Sequence, residues 1–159
     1  MDGFGVVRLE EAIHLREQSD LPILMMQGVY STEAYDKLKK NNIWTTLHSI
    51  AQIPLALQYI DDLVFWIKIN TGMNRLGLQL SELDKCQSFL KKNNVLMTHL
   101  ACADNPDDEL NQMQFSKFDE AWKHTGQILL RSIVNSAGSI NFPEQAHDWS
   151  RVGIGMYGG

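Results

Sequence analysis

The residues of this 159-residue chain best suited to chemistry stand where apolar runs end. Lys68 closes the run VFWIK, and Arg75 follows in the glycine-bracketed turn TGMNRLG. A lysine embedded in a β-run is costly to bury unpaired, so Lys68 either reaches the end of its strand or meets an anion. His99 ends the run VLMTH, where a lone histidine is more often structural than a catalytic base. Asn135 and Ser136, in IVNSAG, put a hydroxyl and backbone N–H groups ahead of a small-residue turn. That pattern suits a phosphate, and it suits an ordinary turn as well. The final stretch, RVGIGMYGG, joins Arg151 to Gly153 and Ile154, and its glycines let the backbone come close to an anion. No paired-carboxylate geometry can be read from Asp61, Asp62, Asp104, Asp107 or Asp108, and Cys86 and Cys102 lack the spacing of a zinc site. No metal is expected.

These residues need elements to position them. Residues 64–70 alternate with period two, Phe65, Ile67 and Ile69 on one face and Val64, Trp66, Lys68 and Asn70 on the other. Strand-like runs start near residues 4, 23, 43, 64, 95, 130 and 152. Amphipathic helical stretches separate most of them: from about Leu9, after a Ser31 cap, around Pro54, from Ser81 to Lys92, and from Asn105-Pro106 to a Gly126 cap. On the last of these, Leu110, Met113, Phe115, Phe118 and Trp122 are expected to face the core. Strand–helix alternation of this kind implies parallel strands with crossover helices, and no GxGxxG motif points to a dinucleotide fold. A (β/α)8 TIM-type barrel fits best, with about seven βα units present and the first strand missing. In such barrels chemistry gathers at the C-terminal strand ends, and phosphate is often held by the loops after the last two strands.

Composition narrows the class. A net charge of -5 and a pI near 5.4 argue against nucleic acid as a partner. No apolar run approaches the length of a membrane span, and no signal-like leader opens the chain. Cytoplasmic residence is the expectation, without a membrane partner.

GMNRLG, ACAD, NSAG and RVGIGMYG, in that order, resemble the motifs of alanine racemase, a fold-type III pyridoxal 5'-phosphate enzyme, and the resemblance extends over essentially the whole chain. It implies an N-terminal barrel domain, here partial over residues 1–159, of a homodimeric isomerase that interconverts L-alanine and D-alanine for peptidoglycan precursors. It further implies that Lys68 is carbamylated and gives Arg75 an anionic partner, while Arg75 holds the cofactor's phenolic oxygen and the substrate side of the site. By the same resemblance His99 packs on the cofactor ring, Asn135, Ser136, Gly153 and Ile154 shape the phosphate cup, and Arg151 bonds the pyridine nitrogen. An arginine there cannot give up its proton at neutral pH. The ring is thereby a weaker electron sink, which favours racemisation over transamination.

Two expectations concern what the chain lacks. The family's Schiff-base lysine sits in a motif of the form VxKANAYGHG, which is not in this sequence and is expected just upstream of Met1. The opposing tyrosine base is expected in a C-terminal β-domain of the partner subunit, beyond Gly159. With neither catalytic base present, the chain reads as an internal piece that does not turn over by itself. The alternatives are another fold-type III protein, either a cofactor-homeostasis protein or an amino-acid decarboxylase, and a non-catalytic truncated interaction module.

Overall fold

In the computed structural model, residues 1–158 are described, and they build one parallel sheet backed by helices. The strands are β1 (Phe4–Val6), β2 (Ile23–Met25), β3 (Trp44–Leu47), β4 (Phe65–Lys68), β5 (Val95–Met97) and β6 (Leu130–Ser132). All five neighbouring pairs are parallel, and the order across the sheet is the order along the chain. A sheet that never reverses its strand order is the wall of a barrel, not a doubly wound sheet. The fold is an incomplete α/β barrel.

The alternation along β4 decides which residues meet the helices and which the lumen. Phe65, Ile67 and Ile69 join Leu47, Leu96 and Ile133 in the large core beneath the helices. Val64 and Trp66 join Leu24, Val95, Met97, Trp44 and Trp149 in a second cluster on the opposite face. Lys68 is next on that second face, so the lumen changes from apolar to cationic at the strand ends. Asn94 fixes where β4 begins: its side chain accepts from Phe65 N at 2.8 Å and donates to Phe89 O at 2.8 Å.

The covering elements are α1 (Leu9–Arg16), α2 (Thr32–Lys40), the short α3 (Ile53–Ala56), α4 (Glu109–His124) and α5 (Ser136–Asn141). Ser31 caps α2 through Ala34 N, as its sequence position predicts. Arg16 lies on the inward side of α1 because its guanidinium closes the far end of α2, donating to Asn41 O and Asn42 O. Asp108 caps α4, three residues later than the expected start, and Gly126 follows its end in the left-handed region. No helix among the described residues is long and apolar enough to cross a membrane.

Three expectations need correction. Residues 80–89 form a 3-10 helix, not an α-helix, because the side chains they bury, Leu83, Cys86 and Phe89, recur every third residue. The face α4 turns to the core carries Asn111 and Gln114 along with Phe115, Phe118 and Ala121, whereas Met113 is 54% exposed. The expected seventh strand is absent among the described residues. Residues just ahead of it run beside β6 through two backbone bonds, Trp149 N to Arg131 O and Arg151 N to Val134 O, and Ile154–Tyr157 then coils into a 3-10 turn. Three glycines in eight positions leave that stretch with few side chains to pack against a neighbour. Gly159 lies outside the described residues.

Candidate active site

The rim of the barrel at the strand C-termini collects the cations. Lys68 is the last residue of β4 and 7% exposed. Burial, with Arg75 and Arg151 nearby, brings its ammonium down to about 8. His99, two residues beyond β5, is held down to about 4 by burial and then by Arg151, Arg75 and Lys68, so its imidazole is neutral at neutral pH. Lys68, Arg75, His99 and Arg151 therefore share one electrostatic environment. No ion pair among the described residues involves any of them. Cations gathered without a carboxylate repel one another, and an anion relieves the repulsion.

Arg75 is carried by a loop that closes on itself. Leu78 N donates to Lys68 O at 2.8 Å and Asn70 N to Leu78 O at 2.9 Å, pinching the loop at its base. Inside it, Asn70 Oδ1 accepts from Gly72 N and Asn74 N, and Asn70 Nδ2 reaches Asn74 Oδ1 at 2.9 Å. Gly77 adopts a φ of +133°, and a Cβ there would stand 2.6 Å from Asn70 N. Arg75 is exposed at the tip.

Arg151 is bound from beneath. Its guanidinium donates to Ser132 Oγ, Thr98 O and Ile133 O, spanning the ends of β5 and β6. Its Nε is buried and lacks an acceptor. Burial draws this arginine down to about 10, still protonated at neutral pH. Beyond it, Gly153 N and Gly155 N both donate to Ser136 Oγ, at 3.0 and 3.1 Å. A Cβ on Gly155 would approach Ser136 Cβ to 3.3 Å, so glycine permits this close approach. Ser136 opens α5, and Asn135 caps that helix, accepting from Gly138 N at 2.9 Å and donating to Leu100 O at 3.3 Å. Both ends of the Asn135 side chain are thus engaged in holding the turn. Ile154 is 69% exposed beside Gly153.

Sequence reasoning missed the layer beneath the rim. Thr71 and Thr98 hydroxyls meet at 2.8 Å, and Gln114 of α4 reaches Thr71 Oγ1 at 2.9 Å. His48, just past β3, lies 2.9 Å from Gln27 O and 3.2 Å from Tyr30 Oη. The available signal was a polar residue at a core position of an amphipathic helix, and a histidine at a strand end like His99. Among the described residues no group of His, Cys, Asp and Glu is arranged to hold a metal.

The family described as alanine racemase, N-terminal domain, matches residues 1–159. The alanine racemase of Legionella pneumophila (strain Lens) is 39% identical over 169 residues, taking in 99% of this chain and 46% of that protein. The solved alanine racemase of Acinetobacter baumannii aligns with a TM-score of 0.86 at 32% identity, over 99% of this chain and 46% of that one. The alanine racemase of Bartonella henselae, solved with covalently bound pyridoxal phosphate, shares the fold at a TM-score of 0.84 and 24% identity, over 98% of this chain and 48% of its own. The chain spans about half the length of the curated relatives it matches.

Proposed function

Since the chain belongs to the alanine racemase N-terminal domain family, we propose that it supplies the cofactor-holding barrel of a pyridoxal 5'-phosphate-dependent isomerase. The reaction is interconversion of L-alanine and D-alanine, providing D-alanine for peptidoglycan precursors in the cytoplasm, in a homodimer. The observation that carries the reading is the rim itself: Lys68, His99 and Arg151, with Arg75 near them, and no acidic partner among the described residues. Such a rim is complementary to a ligand bearing a phosphate and a phenolate.

The residues present fit that cofactor. Pyridoxal phosphate, when bound, supplies an electron-withdrawing ring that acidifies the α-carbon of an amino acid joined to it. Ser136 and the Ile154 amide would hold the phosphate, joined by the Gly153 amide once it turns from Ser136 Oγ, and Asn135 keeps that turn in shape through its two hydrogen bonds. Arg151 would hold the ring nitrogen through Nε, its buried donor without an acceptor. Because this guanidinium keeps its proton at neutral pH, it would leave the ring nitrogen unprotonated and so restrain side transamination. His99, neutral at neutral pH, offers a flat uncharged face for the ring and is a poor general base. Lys68, as a carbamate, would be the anion that orients Arg75 toward the phenolic oxygen and the substrate carboxylate.

The test is a racemisation assay on the full protein that carries these residues, with L-alanine supplied and D-alanine measured by a D-amino-acid oxidase, in parallel with the absorbance of bound cofactor. Turnover of alanine with the cofactor spectrum is expected. A full protein that binds the cofactor and releases carbon dioxide from a basic amino acid, or leaves alanine unchanged, would replace this reading with another fold-type III activity.

A further inference from the structure

Gln114 belongs to α4, on the outer wall of the barrel, yet its side chain works at the rim. It is fully buried. Its Oε1 accepts from Ala101 N at 2.9 Å, while its Nε2 donates both to His99 O at 2.9 Å and to Thr71 Oγ1 at 2.9 Å. The orientation of the amide is settled by its partners, since a backbone N–H only donates and a carbonyl only accepts. One side chain thus clamps the backbone on both sides of Leu100, directly after His99, and ties that segment to the exit of β4. From Thr71 the connection continues to Thr98, whose hydroxyl donates to Ile69 O at 3.0 Å and whose own carbonyl accepts from Arg151. The elements that present Arg75, His99 and Arg151 are therefore linked through a single glutamine.

We infer that Gln114 is a positioning residue: through its amide it sets the height of His99 at the rim and the relation of the β4 exit to Arg151. The inference rests on the reading of that rim as the cofactor site and deepens it. A glutamine serving only to anchor α4 would need one bond to the sheet. This one divides its hydrogen bonds between two strand exits and leaves neither end of its amide unused. Replacing it with methionine keeps the volume and removes every one of these bonds, leaving Ala101 N and His99 O without their partner.

The readout is the titration of the His99 imidazole, followed by the NMR signal of its Cε1 proton in the full protein without cofactor. The half-buried wild-type ring is held down to about 4 by burial and by the nearby charges of Arg151, Arg75 and Lys68. In Gln114→Met the strand end relaxes toward solvent, and the midpoint is expected to rise by at least about one unit toward the ordinary histidine value. Leu38→Ala, a destabilising truncation in α2, is expected to leave it in place. A folded Gln114→Met protein whose His99 titrates as in the wild type would overturn the proposal. If that variant does not fold, amide exchange at Ala101 in the wild-type protein decides: protection equal to that of the β-strands supports the clamp, and rapid local exchange rejects it. In the cofactor-loaded enzyme, kcat/KM for alanine should fall roughly ten- to hundredfold in Gln114→Met, the usual scale for a displaced site residue. Failure of the wild-type full protein to racemise alanine would overturn the functional reading instead, and the His99 titration judges Gln114 independently of it.

Discussion

Lys68 shows how a single residue carries more information than its type suggests. A lysine at the end of an apolar run is ambiguous in sequence; in the fold it is nearly buried and brought down from 10.5 to about 8 by burial and two arginines. Roughly a tenth of it is then neutral at neutral pH, and the neutral amine is the form that reacts with carbon dioxide. The same shift makes a prediction about stability. Between pH 8 and pH 10.5 the unfolded chain binds more protons at Lys68 than the folded one, so stability rises with pH across that window and is lost again as pH falls toward 8. In protein free of cofactor and carbon dioxide, denaturant titrations at the two ends of the window should differ by about 3 kcal/mol more in the wild type than in Lys68→Met. Equal pH dependence in the two proteins would mean that Lys68 is solvated in the native state. His99 was legible as a strand-end histidine, but its neutrality was not, since that comes first from burial in the folded rim and then from cations contributed by distant parts of the chain.

At the level of elements, the loop 70–78 does the positioning that its sequence only hints at. Gly77 reads as a turn glycine; the structure gives the reason, a left-sided φ and the backbone of Ile69 and Asn70 pressed against the place of a Cβ. Gly77→Ala should lower stability by about 2 kcal/mol or more, from the strained φ and the backbone clash together. The amides of Gly72 and Asn74 should lose the exchange protection that Asn70 gives them, and cofactor affinity should fall as Arg75 loses its place. A variant with wild-type melting and unchanged loop amides would show that the pinch at Leu78 is not needed. One helical element, residues 80–89, was legible in existence but not in kind. The spacing of Leu83, Cys86 and Phe89 is compatible with either helix type until packing against the sheet selects three residues per turn. On α4 the period was readable and the phase was not, because Asn111 and Gln114 look like surface residues until their partners Cys102 O, Asn105 O, His99 O and Ala101 N are in place.

For the molecule as a whole, we expect the 159 residues alone to leave alanine unracemised. Racemisation requires a base on each face of the α-carbon; His99, neutral down to about 4, is too weak to serve, and Lys68, as a carbamate, would orient Arg75 and not act as a base. A sensitive D-alanine assay on the isolated chain with added pyridoxal phosphate should give no turnover and only weak, non-covalent cofactor binding; clear production of D-alanine would refute this account of the bases. The order of strands, their parallel direction and which residues of β4 share a face could be read from the sequence, because hydrophobic alternation and crossover helices are local consequences of which side chains avoid water. The last segment could not, since a glycine-rich run has no side-chain pattern to commit it to a strand. Spacing alone did not join Lys68, Arg75, His99 and Arg151 into one field, which only the family resemblance implied, and nothing in the sequence showed the reach of Gln114 beneath them. Those depend on distances between residues far apart in the chain, and such distances exist only once the sheet has curved and its strand ends share one rim.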